Sequence, residues 1–302
     1  MYTVIIKAIG FVVIIALGYF SQKFGIVTKE DGKIFGKVIM TFTLPCSLIY
    51  GFSGVHFNML MLFALVIGFT MSTIGLILGD IVSGKSAKLA RGNNMLCCSG
   101  YNIGNFAIPF SQSFFPLAAT SYLGMFDIGN CIMCLGGDLA IVESKISDGS
   151  CLNFIEILRK LYHSIPFMVY VVLMILSIVE MAVPKPIYDI VSLIAPANIF
   201  LIMFMIGTQI EFDGLSTVLR PVMRIFAVRI AIAIGFIVVI QFMPLPQDYQ
   251  RIMTIAVLSP IASPTMIYAE ELGCDLKVTA AASTLSMLLS IIAYVIYMIT
   301  VL

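Results

Sequence analysis

Tryptophan is absent, histidine occurs twice, and charged residues make up only 11% of the 302 positions. Soluble domains carry about 25% charged residues, so a soluble surface is excluded. The net charge of +1 removes any electrostatic case for nucleic acid or an acidic partner. The two histidines, His56 and His163, have no ligand spacing around them, so no metal is expected. The seven cysteines form no disulfide or metal framework. Cys131 and Cys134 make a CxxC on an apolar segment, where the spacing puts both on one helical face as small packing residues. No cofactor motif is present. Asp127 and Asp138 lie on one predicted helix, ~16 Å apart by helical rise. That is too far for an intramembrane protease dyad, whose carboxylates share a proton. The chain therefore reads as a non-enzyme.

What fills the sequence is apolar. Hydrophobic residues reach 60% and the mean hydropathy is +1.07. A spanning helix needs roughly 20 apolar residues. Ten stretches qualify, at about 3–20, 34–52, 57–82, 93–115, 117–142, 163–183, 187–210, 221–243, 250–272 and 276–302. The fold class is an all-α polytopic membrane protein. The opening, MYTVIIKAIGFVVIIALGYF, has almost no basic region and no small-residue cleavage site, so it reads as the first span. Tyrosines near the predicted helix ends supply the interfacial belt. Connections are short, and the longest, 143–162, is the one candidate linker. It separates residues 1–142, with five helices, from residues 163–302, with five more.

Lysine and arginine set the orientation. Thirteen of the 17 fall in loops on one side, from Lys23 to Lys277, and only Lys185 and Arg251 on the other. The richer side is cytoplasmic, so both termini face outward, across a plasma membrane or a bacterial inner membrane. Five helices per half is odd, so the second half is inverted relative to the first. The prolines repeat accordingly. Pro196 lies 151 positions after Pro45, and Pro260 lies 151 after Pro109. Proline cannot donate a backbone bond and its ring clashes with the preceding turn. Breaks are therefore expected at Pro45 and Pro196, and at Pro109 and Pro260. Matching breaks in inverted halves point to a transporter binding site between them.

The residues around these prolines resemble one family. GYFSQKFGIVTKEDGKIFGKVIMTFTLPCSLI resembles the first-loop and second-helix signature of the auxin efflux carrier family. NIGNFAIP resembles its broken fourth helix, FDIGN the fifth helix of bacterial members, and SPIASPTMIYAEELGCD the broken ninth helix and the acidic turn after it. The resemblance covers essentially the whole chain. It implies two inverted five-helix repeats with crossing broken helices 4 and 9, and carriage of small organic anions such as auxin-like acids, malate or malonate. Plant PIN-type carriers and bacterial malate and malonate permeases are of this kind. The chain departs from many members in its short 143–162 segment. It also carries Ser259 and Ser263 where an amide often stands in the ninth helix.

Half-helix N-termini favour an anion, so the expected substrate site lies where the fourth and ninth segments cross. Asn102, Asn105 and Pro109 on one side and Ser259, Pro260, Ser263 and Pro264 on the other are its candidates. Ser47 and Asn198, beside Pro45 and Pro196, are candidate liners. For Asn102 and Asn105 the alternative is capping of the broken backbone, and for Ser47 and Asn198 it is back-bonding to the helix. Asp127 and Arg229 are membrane charges at ~12–15 Å depth. Such charges pair or face a wet cavity, which leaves open a structural ion pair or a role in coupling or gating. The function expected is a secondary transporter working by alternating access; a channel, or a non-transporting receptor or scaffold, is the alternative. The partners are the organic anion and the lipid bilayer. A homodimer, and coupling to a proton or sodium, remain open.

Overall fold

The computed structural model describes residues 2–52, 55–147, 154–210 and 215–301. They form thirteen helices and no strand. In order, α1 is Tyr2–Lys23 and α2 covers residues 29–52. α3 is Met59–Ser83, α4 is Lys88–Cys98 and α5 covers residues 103–112. α6 covers residues 117–146, α7 is Phe154–His163, α8 is Ile165–Ile178 and α9 is Lys185–Gln209. α10 is Leu215–Phe242, α11 is Gln247–Val257, α12 is Pro264–Glu271 and α13 is Leu276–Val301.

Six helices, α2, α3, α6, α9, α10 and α13, are each long and apolar enough to cross a membrane. The pair α7 and α8, bent by 84° at Ser164, makes a seventh if counted as one span. The fourth and ninth expected stretches are each split, into α4 with α5 and α11 with α12. None of these pieces exceeds 11 residues. The expected linker falls partly outside the described residues; on either side of them it is helical, the end of α6 and then α7.

Helices contact through small residues, as membrane helices do where no hydrophobic effect drives them together. Gly68 of α3 faces the Phe126 carbonyl of α6, and Gly129 of α6 faces the Leu65 carbonyl of α3. Gly18 of α1 and Gly207 of α9 are apposed in the same reciprocal way. A Cβ at any of the four would collide with backbone, so the helix pairs depend on its absence. The buried core threads between them, with Met71, Phe106, Phe126, Ile202, Ile252 and Tyr294 almost wholly enclosed.

The proline breaks differ from expectation. α9 runs through Pro196 without interruption, and α2 does not stop at Pro45. Instead a π-helical turn, Ile39–Thr43, ends two residues before Pro45. A second, Ile103–Ala107, ends two residues before Pro109. The wider turn makes room for the ring and absorbs the missing N–H without ending the helix. The interruption in the fourth stretch lies upstream of Pro109, at Ser99 to Asn102, where Gly100 takes φ +49°. That left-handed conformation suits glycine. Only Pro260 sits in a break, at residues 258–263.

Candidate functional site

The two interruptions meet. Tyr101 and Ile261 form an isolated antiparallel bridge, and the Asn102 N–H donates to the Pro260 carbonyl at 2.9 Å. Backbone exposed by a broken helix must find partners inside a membrane, and neighbouring helices supply them. Asn130 of α6 accepts from the Tyr101 N–H and donates to the Tyr101 carbonyl, both at 2.8 Å. On α13, the Ser286 hydroxyl accepts from the Ile261 N–H at 3.1 Å, and that of Ser290 donates to the Leu258 carbonyl at 2.7 Å. The Ser259 hydroxyl bonds Tyr294 at 2.7 Å.

Arg229 lies at the heart of this junction, 7% exposed. Its Nη1 reaches the carbonyls of Cys97, Cys98, Ser99 and Gly100 at 2.8 to 3.4 Å. Its Nη2 donates to the Ser259 carbonyl at 3.0 Å, and the guanidinium stacks 4.4 Å above the Tyr101 ring. α4 and α11 both end here, and each helix C-terminus carries a partial negative charge of about one half. One delocalised cation therefore neutralises two converging C-termini. The expected ion pair with Asp127 does not form. Arg229 has given its donors to carbonyls on one side of the junction, whereas Asp127 lies on the other.

That other side is a cavity of about 60 Å³. Asn102, Ile103, Gly104 and Asn105 at the start of α5 line it, as do Ala262, Ser263 and Pro264 at the start of α12. Asp127, Asn130, Cys131 and Cys134 of α6 and Tyr101 complete much of the wall. Both N-terminal half-helix ends thus face one space. Asn102 does not cap its own helix; its amide reaches across the junction to donate to Ser263 Oγ at 3.1 Å. The Oδ1 of Asn105 and the hydroxyl of Tyr101 are buried without a hydrogen-bond partner. Asp127 accepts from Tyr170 of α8 at 2.9 Å through Oδ2, and from Asn130 at 3.0 Å through Oδ1. The cavity shares Met40, Leu135, Ser164 and Pro166 with a larger hollow of about 430 Å³. Lys160 and His163 of α7 line that hollow, and Lys160 lies over the Tyr268 ring at 5.2 Å.

Of the residues expected at the site, Asn102, Asn105, Ser263, Pro264 and Asp127 line this cavity. Ser259 and Pro260 lie behind it in the junction, and Pro109 is beyond it in α5. The two expected liners Ser47 and Asn198 do not reach it. Ser47 donates to Gln112 at 2.9 Å, and Asn198 accepts from Thr43 at 2.8 Å, tying α2 to α5 and α9. Sequence reasoning passed over Tyr101, Asn130 and Tyr170. Asn130 stands three residues after Asp127 and so on the same helical face, which was a usable signal. Tyr170 carried none. Asp138, which accepts from the Ser99 hydroxyl at 2.8 Å, is a second buried carboxyl against the same junction.

No curated protein matches the chain. Residues 3–150 match the membrane transport protein family, whose domain is that of the auxin efflux carriers. With its apolar helices and its junction of interrupted ones, the chain is an integral membrane protein whose residues 3–150 carry the domain of the auxin efflux carrier family of transporters.

Proposed function

We propose that the protein is a secondary transporter of small organic anions, carboxylates above all, which bind in the cavity beside the junction. One observation carries the reading. The N-termini of α5 and α12 converge on the cavity, while the opposing C-termini are neutralised by Arg229 on the far side. The positive ends are left to act on whatever enters, and an anion is what they favour. Asn102, Asn105 and Ser263 add hydrogen bonds that orient a carboxylate. The 430 Å³ hollow, with Lys160 and His163 on its wall, is the entry. Its volume lies in the range of small-molecule sites.

In this reading the ten apolar stretches are ten spans in two inverted repeats, and alternating access moves one group of helices against the other around the junction. In the same reading the mouth of the hollow opens to the cytoplasm, which the excess of lysine and arginine in the loops of that side supports.

Thermal unfolding of the purified protein across pyruvate, malonate, malate and indole-3-acetate, each beside its neutral amide, tests the proposal. A ligand at 100 times its Kd stabilises by about 2.7 kcal/mol. The acids are expected to raise Tm and the amides to do so far less. Equal shifts for acid and amide, or none for any acid, would remove the anion site.

A further inference from the structure

We propose that Asp127 is a proton-binding site, loaded together with the substrate anion, so that the protein is an anion–proton symporter. The inference rests on the anion site just described and concerns its charge balance. Asp127 is 6% exposed and lines the same cavity as the two half-helix N-termini. A Cβ on Gly104, in the first turn of α5, would lie 3.1 Å from Asp127 Oδ2. The carboxylate therefore already occupies part of the positive field that a substrate would need. Two carboxylates in one low-dielectric cavity repel strongly. A proton on one of them removes that repulsion.

Among the described residues no cation takes the proton's place. The groups that interact with Asp127 are Asn130 and Cys131 of its own helix, Tyr170 of α8 and the Gly104 backbone. Cys134, one turn further along α6, also feels its charge. α2 presents Leu44 to the cavity, α3 sends Ser72 to Asn130, and α11 brings Tyr249 against Tyr122, more than a turn away from Asp127. Arg229 of α10 is committed to carbonyls across the junction. Lys160 and His163 of α7 stand on the wall of the outer hollow. Among described residues, then, the ionisable groups nearest Asp127 are a phenol and thiols, neutral near neutral pH.

The step balances simply. One proton from hydronium or a buffer acid of the bathing solution goes to the Asp127 carboxylate, one anion enters the cavity, and both leave when the site opens on the other side. A monocarboxylate then crosses with no net charge.

The test is proton uptake on binding, measured in weakly buffered solution between about pH 5.5 and 8, with the same four carboxylates. The wild type is expected to take up as much as one proton per anion more than Asp127→Asn does. Its affinity should fall about tenfold per pH unit on the alkaline side. Asp127→Asn, nearly isosteric, should bind with little pH dependence beyond the ligand's own titration. Equal uptake by the two proteins would overturn the symport proposal and leave the anion site standing. Binding of no carboxylate by either protein would overturn both.

Discussion

At the scale of single residues, the junction separates roles that look alike in a sequence. Asn102 and Asn198 are both amides near a proline, yet only Asn102 faces the cavity. Removing its side chain would delete one hydrogen bond to a charged group, worth roughly 1.5–3 kcal/mol. Asn102→Ala is therefore expected to weaken carboxylate affinity about 10- to 150-fold, as titration of the purified protein would read. Ser263→Ala should cost less, because a hydroxyl is more easily replaced where helix ends dominate. Asn198→Ala should leave affinity unchanged. Arg229 makes a different prediction. Arg229→Gln would leave two buried helix C-termini without their cation and should destabilise by about 3–5 kcal/mol, the cost of breaking a buried charge partnership. Arg229→Lys should rescue little of it, since an ammonium cannot fork across carbonyls from two segments while stacking on Tyr101. Because Asp127 bonds Tyr170 and Asn130 instead, Asp127→Asn and Arg229→Gln should add in a double-mutant cycle of Tm values. A large coupling energy would restore the ion pair.

At the scale of helices, close approach and wide turns shape the packing around the site. α3 and α6 touch backbone to backbone at Gly68 and Gly129. α6 carries Asp127 and Asn130, so this contact also sets how deep those side chains reach. Gly129→Ala forces a methyl group against the Leu65 carbonyl, and overpacking of this kind costs about 1–3 kcal/mol. A lowered Tm with weakened ligand binding is the expected result. Gly235→Ala in α10, where nothing lies within 4 Å of the added Cβ, should be neutral or mildly stabilising because alanine favours the helix. If both substitutions behaved alike, the close approach would not be what matters. The π turns before Pro45 and Pro109 let two helices carry proline without breaking.

At the scale of the molecule, the distribution of lysine and arginine predicts which face meets the cytoplasm. Single cysteines at Lys88 and Arg159, in a background without native cysteines, should react with an impermeant reagent only from inside. One at Lys185 should react only from outside. The opposite pattern would reverse the orientation, and labelling of all three from one side would end the inverted arrangement. By itself the sequence determined the class: few charges and ten apolar stretches leave a chain no stable place but a bilayer, and composition is a property of residues one by one. It also located the interruption at Pro260, because proline acts on its own turn, whereas the other interruption lies at Ser99 to Asn102, upstream of the Pro109 where a break was expected. What only the tertiary structure decided was which polar groups share a space. Pro45 and Pro196 read as breaks because proline is a local breaker, but packing against α2 and α9 holds both helices through it. Asp127 and Arg229 lie at similar predicted depths, and depth along one axis cannot say on which side of a junction a side chain falls. The carbonyl ends that claim Arg229 exist only when α4 and α11 stop at the same point. Hydrogen bonds across that point join residues up to 161 positions apart, as Asn102 to Ser263, and no local pattern encodes such a pairing.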